Sequence, residues 1–575
     1  MSAHDLVIRA GTVVDGLGGP GRVADVAVDG GIVTEVGPNV GRGRREIEAD
    51  GAVVAPGFVD IHTHYDGQAT WDERLLPSAW HGVTTVVMGN CGVGFAPVVP
   101  EHHQRLIELM EGIEDIPGTA LHEGLSWEWS SFDDYLDALE RRPHDIDFAT
   151  QVPHAALRVH VMGERAESGR EATADEIAAM AKLARAGVEA GALGFTTSRT
   201  LNHRSVTGEL TPSYDAGIDE LAGIAAELGA AGRGVLQLVT DFIDVDTDFD
   251  VMLAMMKASG RPLSVSLAQS PLQPNTYLEV LRRMAETNAA GLQMRAQVAA
   301  RAVGLLMGLP CTLHPFMTNH AWQRIAGLPI AEQVAAMRDP SFKAAVLAAQ
   351  TDERNRNLIG GRLIHKYNAM FEMTDPPNYE PAAADSIAAR AERLGRTPED
   401  LVYDLMLTDN GNGMLYVASL NYAERNLDAV HAMLADPHTV PGLSDGGAHV
   451  GTICDVSFPT TLLQHWVRER DGERLPVEFV VQRQARETAR AVGLLDRGVL
   501  APGYKADINV IDLDQVRLHK PEMRFDLPGG GRRVLQRADG YRHTFVSGVE
   551  IYRDGEPTDD LPGKLVRGAK PAPAA

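Results

Sequence analysis

Short apolar runs alternate with amphipathic segments through the middle of the chain. In "IDELAGIAAELGAAG", apolar residues recur at helical spacing from Leu221 to Leu228, and Gly229 follows as a predicted helix stop. Repeated strand–helix units build parallel sheets, and eight strands predict an α/β fold of the (β/α)8 TIM-barrel type. The predicted strands lie in "VVAPGFVDIHTH", "VTTVVMGNCG", "FATQVPHAALRVHV", "ALGFTTS", "GVLQLVTD", "PLSVSLAQ", "LQMRAQVA" and "TVPGLSDGG".

The two ends of the chain have a different pattern. Residues 1–55 alternate apolar and polar positions between glycine turns, and residues 496–553 repeat this pattern in "GYKADINVIDLDQ". We predict that these two pieces form one small β-sandwich beside a barrel spanning 56–495. Residues 311–426 are too long for a loop and contain their own helices, so we predict an insertion that caps the barrel before its eighth strand. Residues 554–575, rich in Gly, Pro and Ala, are predicted to be an extended tail.

Composition narrows the class of protein. The chain has 575 residues, and 53 Lys+Arg against 78 Asp+Glu give a formal net charge of −25. This charge repels phosphate backbones, so we predict no nucleic-acid partner. The N-terminus lacks a signal-peptide pattern, and no apolar run reaches the roughly 18 residues of a membrane helix. Three scattered cysteines do not make a disulfide framework. We therefore expect a cytoplasmic protein that acts on a small molecule, either as a monomer or as a homo-oligomer.

Two histidines separated by one residue end the first predicted strand. His62 and His64 follow the apolar run of "APGFVDIHTHYDG". Active sites of barrels lie at the carboxyl ends of the strands, and the strand period of two points both imidazoles the same way. Two neutral imidazoles that converge on one point can bind a divalent metal ion. The alternative is a histidine pair hydrogen-bonded in a polar rim, but the position after an apolar strand favours the metal site.

Two more candidate ligands follow the second and eighth strands. Cys91 lies in "MGNCGVGFAPV", where the flanking glycines favour an exposed turn over the usual buried structural cysteine. Asp445 lies in "GLSDGGAHVG", and its carboxylate can bind metal and take a proton from water. The alternative for Asp445 is a residue that caps a turn before Gly446. We predict that Cys91 and Asp445 join His62 and His64 in one metal site, with Asp445 as catalytic base.

Candidate substrate-binding residues are less clearly marked. A substrate carboxylate favours the forked donors of arginine, which makes Arg199 and Arg295 candidates, although most arginines are solvated or paired with acids. Gln237 and Gln269 lie near the ends of the fifth and sixth strands, where their side chains offer oxygen ligands. His203, in the loop after the fourth strand, is the last candidate, and its alternative is a surface position.

Several motifs together resemble the amidohydrolase superfamily, and more narrowly the N-acyl-D-amino-acid deacylases, or D-aminoacylases. The resemblance reaches to about Ile551. The motifs are "PGFVDIHTHYDGQATWD", "GNCGVGFAPV", "LMEGIEDIPG", "GALGFTTS", "LSDGGAH" and "GYKADINVID". This resemblance implies a zinc hydrolase in which His62, His64 and Asp445 belong to one metal cluster. It also implies that the Cys91 thiolate replaces the bridging lysine of other amidohydrolases and that Asp445 is the general base.

The chain departs from this family at the fifth and sixth strands. Those strands end with metal-binding histidines in the family, whereas this chain has "GVLQLVTDF" and "PLSVSLAQSP". The resemblance therefore implies one zinc ion and leaves a second ion open.

We predict a metal-dependent amidohydrolase that cleaves the amide bond of an N-acyl amino acid, of D configuration by the resemblance. A second hypothesis is a hydrolase of a cyclic amide, an imide, a carbamate or another C–N bond, with a mononuclear site. A third hypothesis, of another class, is a barrel that binds an acylated ligand without turnover.

Overall fold

The computed structural model describes residues 3–167, 169–355 and 358–574, and its centre is a parallel barrel. Neighbouring strands pair in parallel in chain order, and a parallel bridge between Thr63 and Gly446 joins the ends of the first and eighth strands. The predicted (β/α)8 fold is confirmed. Its strands are Phe58–Asp60, Val83–Met88, Asp147–Thr150 continued by Val152–Pro153, Gly194–Arg199, Val235–Thr240, Leu263–Leu267, Met294–Val298 and Thr439–Pro441.

Helices follow the barrel strands along the chain. In the three ranges described, no helix has the length and apolar character needed to cross a bilayer. The helices are His103–Glu114, Gly118–Gly124, Phe132–Glu140, His154–Met162, Ala174–Ala190, Ile218–Ala231, Val245–Ser259, Thr276–Ala289, Asp428–Ala435, Phe458–Thr461, Val477–Val481 and Thr488–Ala491, with π-helical segments Leu462–Glu469 and Gln482–Glu487.

One predicted helix end is wrong. The helix Ile218–Ala231 continues through Gly229 and ends at Gly232, whose φ of +64° is the left-handed conformation that favours glycine. A Cβ atom at Gly229 would lie 2.5 Å from the backbone oxygen of Ser259, at the end of the neighbouring helix. Gly229 therefore allows close packing between two helices, and the stop lies three residues further on.

Strands from both ends of the chain pair in a single sheet. Val53–Pro56 pairs antiparallel with Ile508–Ile511, which joins the N-terminal strands to the C-terminal ones. Buried aliphatic side chains such as Val54 and Ile508 form its core. The small β domain built from both ends is thus confirmed. Its other strands are His4–Val13, Arg22–Asp29, Ile32–Gly37, Gly43–Glu48, Tyr541–Val546, Val549–Arg553 and Glu556–Pro557. Two further antiparallel pairs lie outside this sheet, Arg517–Leu518 with Ala538–Asp539 and, between them in sequence, Glu522–Leu527 with Gly531–Leu535.

The insertion between the seventh and eighth strands has its own core. A three-stranded antiparallel sheet packs with helices around buried Leu313, Tyr403 and Val417. The strands are Val303–Met307, Met370–Glu372 and Leu415–Leu420, and the helices are His320–Gln323, Ile330–Met337, Pro340–Ala348, Ile387–Leu394 and Pro398–Met406. The sheet begins ahead of residue 311, where the sequence suggested a boundary, because the first strand pairs with the last strand of the insertion.

The C-terminal segment runs in extended form along the barrel. Leu565 bridges Phe148 of the third barrel strand in parallel, and Leu565 and Val566 are buried. Hydrogen bonds from Phe148 N–H to Lys564 O and from Val566 N–H to Phe148 O hold this contact. The exact domain boundaries stay predictions, and residues 1, 2 and 575 of the predicted terminal segments lie outside the described ranges.

An acidic residue of the insertion ties it to the last helical part of the barrel. The Glu380 carboxylate accepts hydrogen bonds from Arg470 at 3.2 Å and from Leu427 N–H at 2.8 Å, and it lies 2.9 Å from His465 Nε2. Burial opposes ionisation, but the hydrogen bonds from His465 and Arg470 outweigh it and lower the pKa of Glu380 to about 2.

Replacing this carboxylate should loosen the insertion. Because the folded pKa lies below the usual 4.5, the stabilisation is present above pH 4.5 and is lost as the pH falls toward 2. We expect Glu380→Gln to lower the melting temperature at pH 7, with a smaller difference from the native chain near pH 3. Scanning calorimetry measures both, and exposed Glu392→Gln is the matched control. Equal melting temperatures for the native and Glu380→Gln chains at pH 7 would contradict this role.

Candidate metal centre

The two imidazoles at the end of the first barrel strand lie together. His62 and His64 are both about 1% exposed, and their ring centroids are 5.5 Å apart. The strand Phe58–Asp60 runs directly into them, so the period of two brings both rings to one side. The structure therefore places this predicted pair at the carboxyl end of the barrel, where active sites form.

Cys91 reaches the pair from a tight turn after the second strand. Gly89, Cys91 and Gly92 all have positive φ, and a Cβ atom at Gly89 would lie 2.4 Å from a neighbouring backbone oxygen. The Thr196 hydroxyl donates to Gly89 O and accepts from Gly92 N–H, which fixes the turn. The Cys91 Sγ lies 3.3 Å from His62 Nε2. One donor atom each from His62, His64 and Cys91 lies within 4.8 Å of the others.

Asp445 faces this cluster from the loop after the eighth strand. Its Oδ1 atom lies 3.4 Å from His62 Nε2 and 3.7 Å from His64 Nε2. Backbone hydrogen bonds hold it there, from Asp445 N–H to His62 O at 3.1 Å and from His64 N–H to Gly446 O at 2.7 Å. The backbone of Asp445 has a φ of +52°, a conformation that aspartate tolerates better than most residues. All four predicted metal ligands thus meet at one place.

Two outer side chains that the sequence did not single out orient the imidazoles. His62 Nδ1 lies 2.6 Å from Gln297 Oε1, an acceptor, so Nδ1 carries the proton and Nε2 faces the cluster with its lone pair. Gln297 in turn donates to Ser264 Oγ at 3.0 Å. On the other ring, His64 Nδ1 lies 3.3 Å from Glu114 Oε1. Histidine ligands of metals commonly have such partners on the far nitrogen.

Two more histidines border the cluster. His449 Nε2 lies 3.6 Å from Glu114 Oε2 and 3.9 Å from Asp445 Oδ2. His203, a predicted site residue, is buried, with Nδ1 2.8 Å from the Ser198 hydroxyl. Burial, followed by the charges of the neighbouring His449 and His64, lowers the pKa of His203 to about 3. Burial likewise lowers the pKa of His449 to about 4, so both of these imidazoles are neutral at pH 7. His449 lies in the sequence motif "GLSDGGAHVG" that also contains Asp445.

The buried groups shift one another's ionisation. Burial lowers the pKa of His62 to about 4 and raises that of the Cys91 thiol to about 12. Burial also raises the pKa of Glu114 to about 7. For His64 burial favours the neutral ring, but Glu114, Cys91 and Asp445 together outweigh it and raise the pKa well above its usual value. For Asp445 burial is outweighed by His64 and by the charges of His62 and His449, so its pKa falls below the usual range.

The donor set fits a divalent cation. The Nε2 atom of His64 is buried without a hydrogen-bond partner among the described residues, whereas Nδ1 lies in the 3.3 Å contact with Glu114. Leaving buried polar atoms unpaired costs free energy, so such atoms mark places where a ligand completes the site. Two imidazoles, a thiol and a carboxylate form the mixed nitrogen, sulfur and oxygen set that suits zinc.

Three predicted substrate-binding residues make their hydrogen bonds away from this cluster, and their binding role stays a prediction. Arg199 follows Thr197 on the outward face of the fourth strand and donates to Ala216 O. Arg295 is the second residue of the seventh strand, near its amino end, and donates to Pro437 O. Gln269 is used inside the protein: its Nε2 donates to Pro274 O and Glu424, and its Oε1 accepts from Ala423 N–H.

Gln237 is the remaining candidate, and it lies inside the barrel. It is about 1% exposed, and neither its Oε1 nor its Nε2 atom has a hydrogen-bond partner in the described part of the chain. The sequence named it only as a polar residue near a strand end, and its unpaired state is visible only in the structure.

Comparison with known proteins places this geometry in context. A model of the amidohydrolase family matches residues 45–552. An N-acyl-D-aspartate deacylase of Alcaligenes xylosoxydans xylosoxydans is 37% identical, over 98% of this chain and 95% of its own. A D-aminoacylase of the same organism is 28% identical, over 98% and 97% of the two chains. A solved D-aminoacylase structure, described as having a binuclear metal center, gives a TM-score of 0.66 at 25% identity, covering 98% of this chain and 100% of that one.

Removing the outer carboxylate should weaken cation binding. Glu114 lies against the far nitrogen of His64, and loss of such a partner typically lowers metal affinity by about 10- to 100-fold. We expect Glu114→Ala to show this loss in a competition titration of zinc against a chromophoric chelator. Glu108→Ala is the control on the same helix, because the Glu108 side chain bonds Gln104 at the surface. Equal zinc affinity in the two variants would contradict the role of Glu114.

Cation binding should also release protons. Burial raises the pKa of Cys91 to about 12, and the groups around His64 hold its pKa well above the usual value, so both must lose a proton to bind a cation at pH 7. Zinc affinity should therefore rise with pH, by about tenfold per unit for each proton released. Calorimetric titrations in buffers of different ionisation enthalpy count these protons. Cys91→Ser should release one proton fewer than the native chain on binding zinc. Cys454 is also a buried free cysteine, so Cys454→Ser is the control and should release the native number of protons.

Proposed function

The chain belongs to the amidohydrolase family, and we propose that it hydrolyses the amide bond of N-acyl-D-amino acids with the help of a divalent cation. The observation that carries this proposal is the convergence of His62, His64 and Cys91 within 4.8 Å, with the Asp445 carboxylate facing them. Relatives that align over nearly the whole chain are named as deacylases of N-acyl-D-amino acids, which supports the same reaction.

We propose zinc as the cation. His62, His64, Cys91 and Asp445 would hold it, and the imidazole and thiolate donors are the ones that zinc takes in proteins. A zinc ion supplies Lewis acidity, which lowers the pKa of water to about 7 and polarises an amide carbonyl. Gln297 supports this role, because it accepts the Nδ1 proton of His62 and keeps Nε2 free to bind.

Asp445 is the proposed general base and acid. Its low pKa keeps the carboxylate ionised at neutral pH, so it is ready to accept a proton from the attacking water. The backbone hydrogen bonds between Asp445, His62 and their neighbours hold the carboxylate beside the imidazoles. The same carboxyl group can then deliver the proton to the departing amine nitrogen, which completes hydrolysis to a carboxylate and an amino acid.

N-acyl-D-aspartate is the first substrate to test. The relative that is 37% identical over 98% of this chain carries that substrate in its name, and the relative named D-aminoacylase is 28% identical. A panel of N-acetyl-D-aspartate, N-acetyl-D-glutamate and N-acetyl-D-leucine, with the L enantiomers, measures side-chain and stereochemical preference. Hydantoins, imides and carbamates in the same panel test hydrolysis of other C–N bonds.

Asp445→Asn should abolish most of the turnover. The amide keeps the shape of the carboxylate but cannot take a proton, and general base catalysis typically contributes about 10²- to 10⁴-fold. We expect kcat for the best panel substrate to fall by about a thousandfold. Zinc content, measured by elemental analysis, separates a lost base from a lost cation. Exposed Asp471→Asn is the matched control and should keep full activity. Near-native turnover by Asp445→Asn would remove Asp445 from this role.

A further inference from the structure

A buried carboxamide in the fifth barrel strand has no hydrogen-bond partner among the described residues. Gln237 is about 1% exposed, yet neither its donor nor its acceptor atom makes a hydrogen bond with any residue that the structure describes. An amide buried in this state costs free energy relative to an apolar side chain of the same size. A native chain keeps such a group where a ligand or ordered water completes its hydrogen bonds.

On both neighbouring strands, Gln237 pairs with a residue that supports the metal centre. In the parallel pairing it lies opposite Thr196 on the fourth strand and Ser264 on the sixth. The Thr196 hydroxyl fixes the turn that carries Cys91, and Ser264 accepts from Gln297, which holds the His62 ring. The side chains of both paired residues, Thr196 and Ser264, make hydrogen bonds on the side of the sheet that faces the cluster. Gln237 shares that face, so its side chain points into the barrel interior.

A second unpaired group lies on the same face. Ser266 is two residues after Ser264, so it points the same way and lies nearer the mouth of the barrel. Its hydroxyl oxygen is buried without a hydrogen-bond partner in the described chain, although the residue as a whole is half-buried. Ser264 is half-buried as well, which indicates open space beside this face. Gln237 and Ser266 therefore lie on the interior face that also carries Ser264, whose partner Gln297 holds the His62 ring.

Two other buried glutamines near the barrel strands, Gln269 and Gln297, use their side-chain amides in hydrogen bonds within the protein. Gln269 uses its Nε2 and Oε1 atoms on Pro274, Glu424 and Ala423. Gln297 accepts from His62 and donates to Ser264. Each of these carboxamides links two parts of the protein, whereas Gln237 makes no side-chain hydrogen bond within the described part of the chain.

We propose that Gln237, together with Ser266, binds the amide group of the acylated substrate. This inference rests on the proposed amidohydrolase function. The Nε2 atom of Gln237 donates to the carbonyl oxygen of the amide, where negative charge develops during attack, and such donors stabilise that charge. The Oε1 atom of Gln237 and the Ser266 hydroxyl remain to receive donors of the substrate. The substrate amide and the Gln237 carboxamide each carry an N–H donor and a carbonyl acceptor, so they can hydrogen-bond to each other. A carboxylate has no donor and would leave Oε1 facing a negative oxygen.

The test compares two methionine variants in the full-length zinc-loaded protein. Gln237→Met keeps the length of the side chain and removes two unpaired polar atoms. We therefore expect a higher melting temperature than the native chain and a kcat/KM for N-acetyl-D-aspartate that is at least about tenfold lower. Gln269→Met removes a fully bonded carboxamide, so its melting temperature should fall. Zinc per chain, measured by elemental analysis, should be unchanged in Gln237→Met.

The outcomes separate the alternatives. A lower melting temperature or failure of Gln237→Met to fold would mean that the carboxamide has a structural role, and this would overturn the proposal. Loss of zinc from Gln237→Met would make Gln237 a cation ligand and would overturn it too, as would unchanged kcat/KM. If the native protein hydrolyses no member of the amide panel, the proposed function fails. The stability comparison still shows in that case whether the carboxamide of Gln237 is unpaired.

Discussion

Two backbone hydrogen bonds join the loops that follow the first and eighth barrel strands, and the candidate site depends on them. Asp445 N–H donates to His62 O, and His64 N–H donates to Gly446 O, at 3.1 and 2.7 Å. The two segments are distant in the sequence and become neighbours only because the sheet curls back on itself. The same contact that closes the barrel therefore brings the proposed base beside the imidazoles, so fold and chemistry share one constraint.

The cluster at this seam concentrates ionisable groups that the protein satisfies only in part. Glu114 and His64 are each about 1% exposed, and their nearest contact is 3.3 Å. Cys91 and Asp445 add a thiol and a carboxylate with little solvent around them. Burying such groups costs free energy unless strong pairing offsets it. Burial of the large apolar core stabilises the barrel and offsets the free energy lost by burying these groups at the ends of its strands.

Much of this arrangement could be predicted from the sequence, because it follows from strand periodicity. The spacing of His62 and His64 puts them on one face, and a residue just after a strand, such as Asp445, lies at the mouth of the barrel. Two predicted arginines lie away from the cluster for physical reasons. Arg199 lies on the outward face of its strand, and Arg295 lies near the amino end of its strand. Glu114 ends a helix within the motif "LMEGIEDIPG", but its contact with the cluster depends on tertiary packing, so the motif did not identify its role.

Side-chain hydrogen bonding decides which polar residues of the barrel serve the fold and which are left for a ligand. Gln237 lies within the fifth strand and Gln269 just after the sixth, and the sequence gives no reason to distinguish these two glutamines. The structure separates them, because Gln269 bonds to the segment returning from the insertion while Gln237 bonds to nothing described. Selection for stability alone would replace an unpaired buried amide with an apolar side chain. Its presence between Thr196 and Ser264, both tied to the metal centre, is therefore best explained by a ligand that binds there.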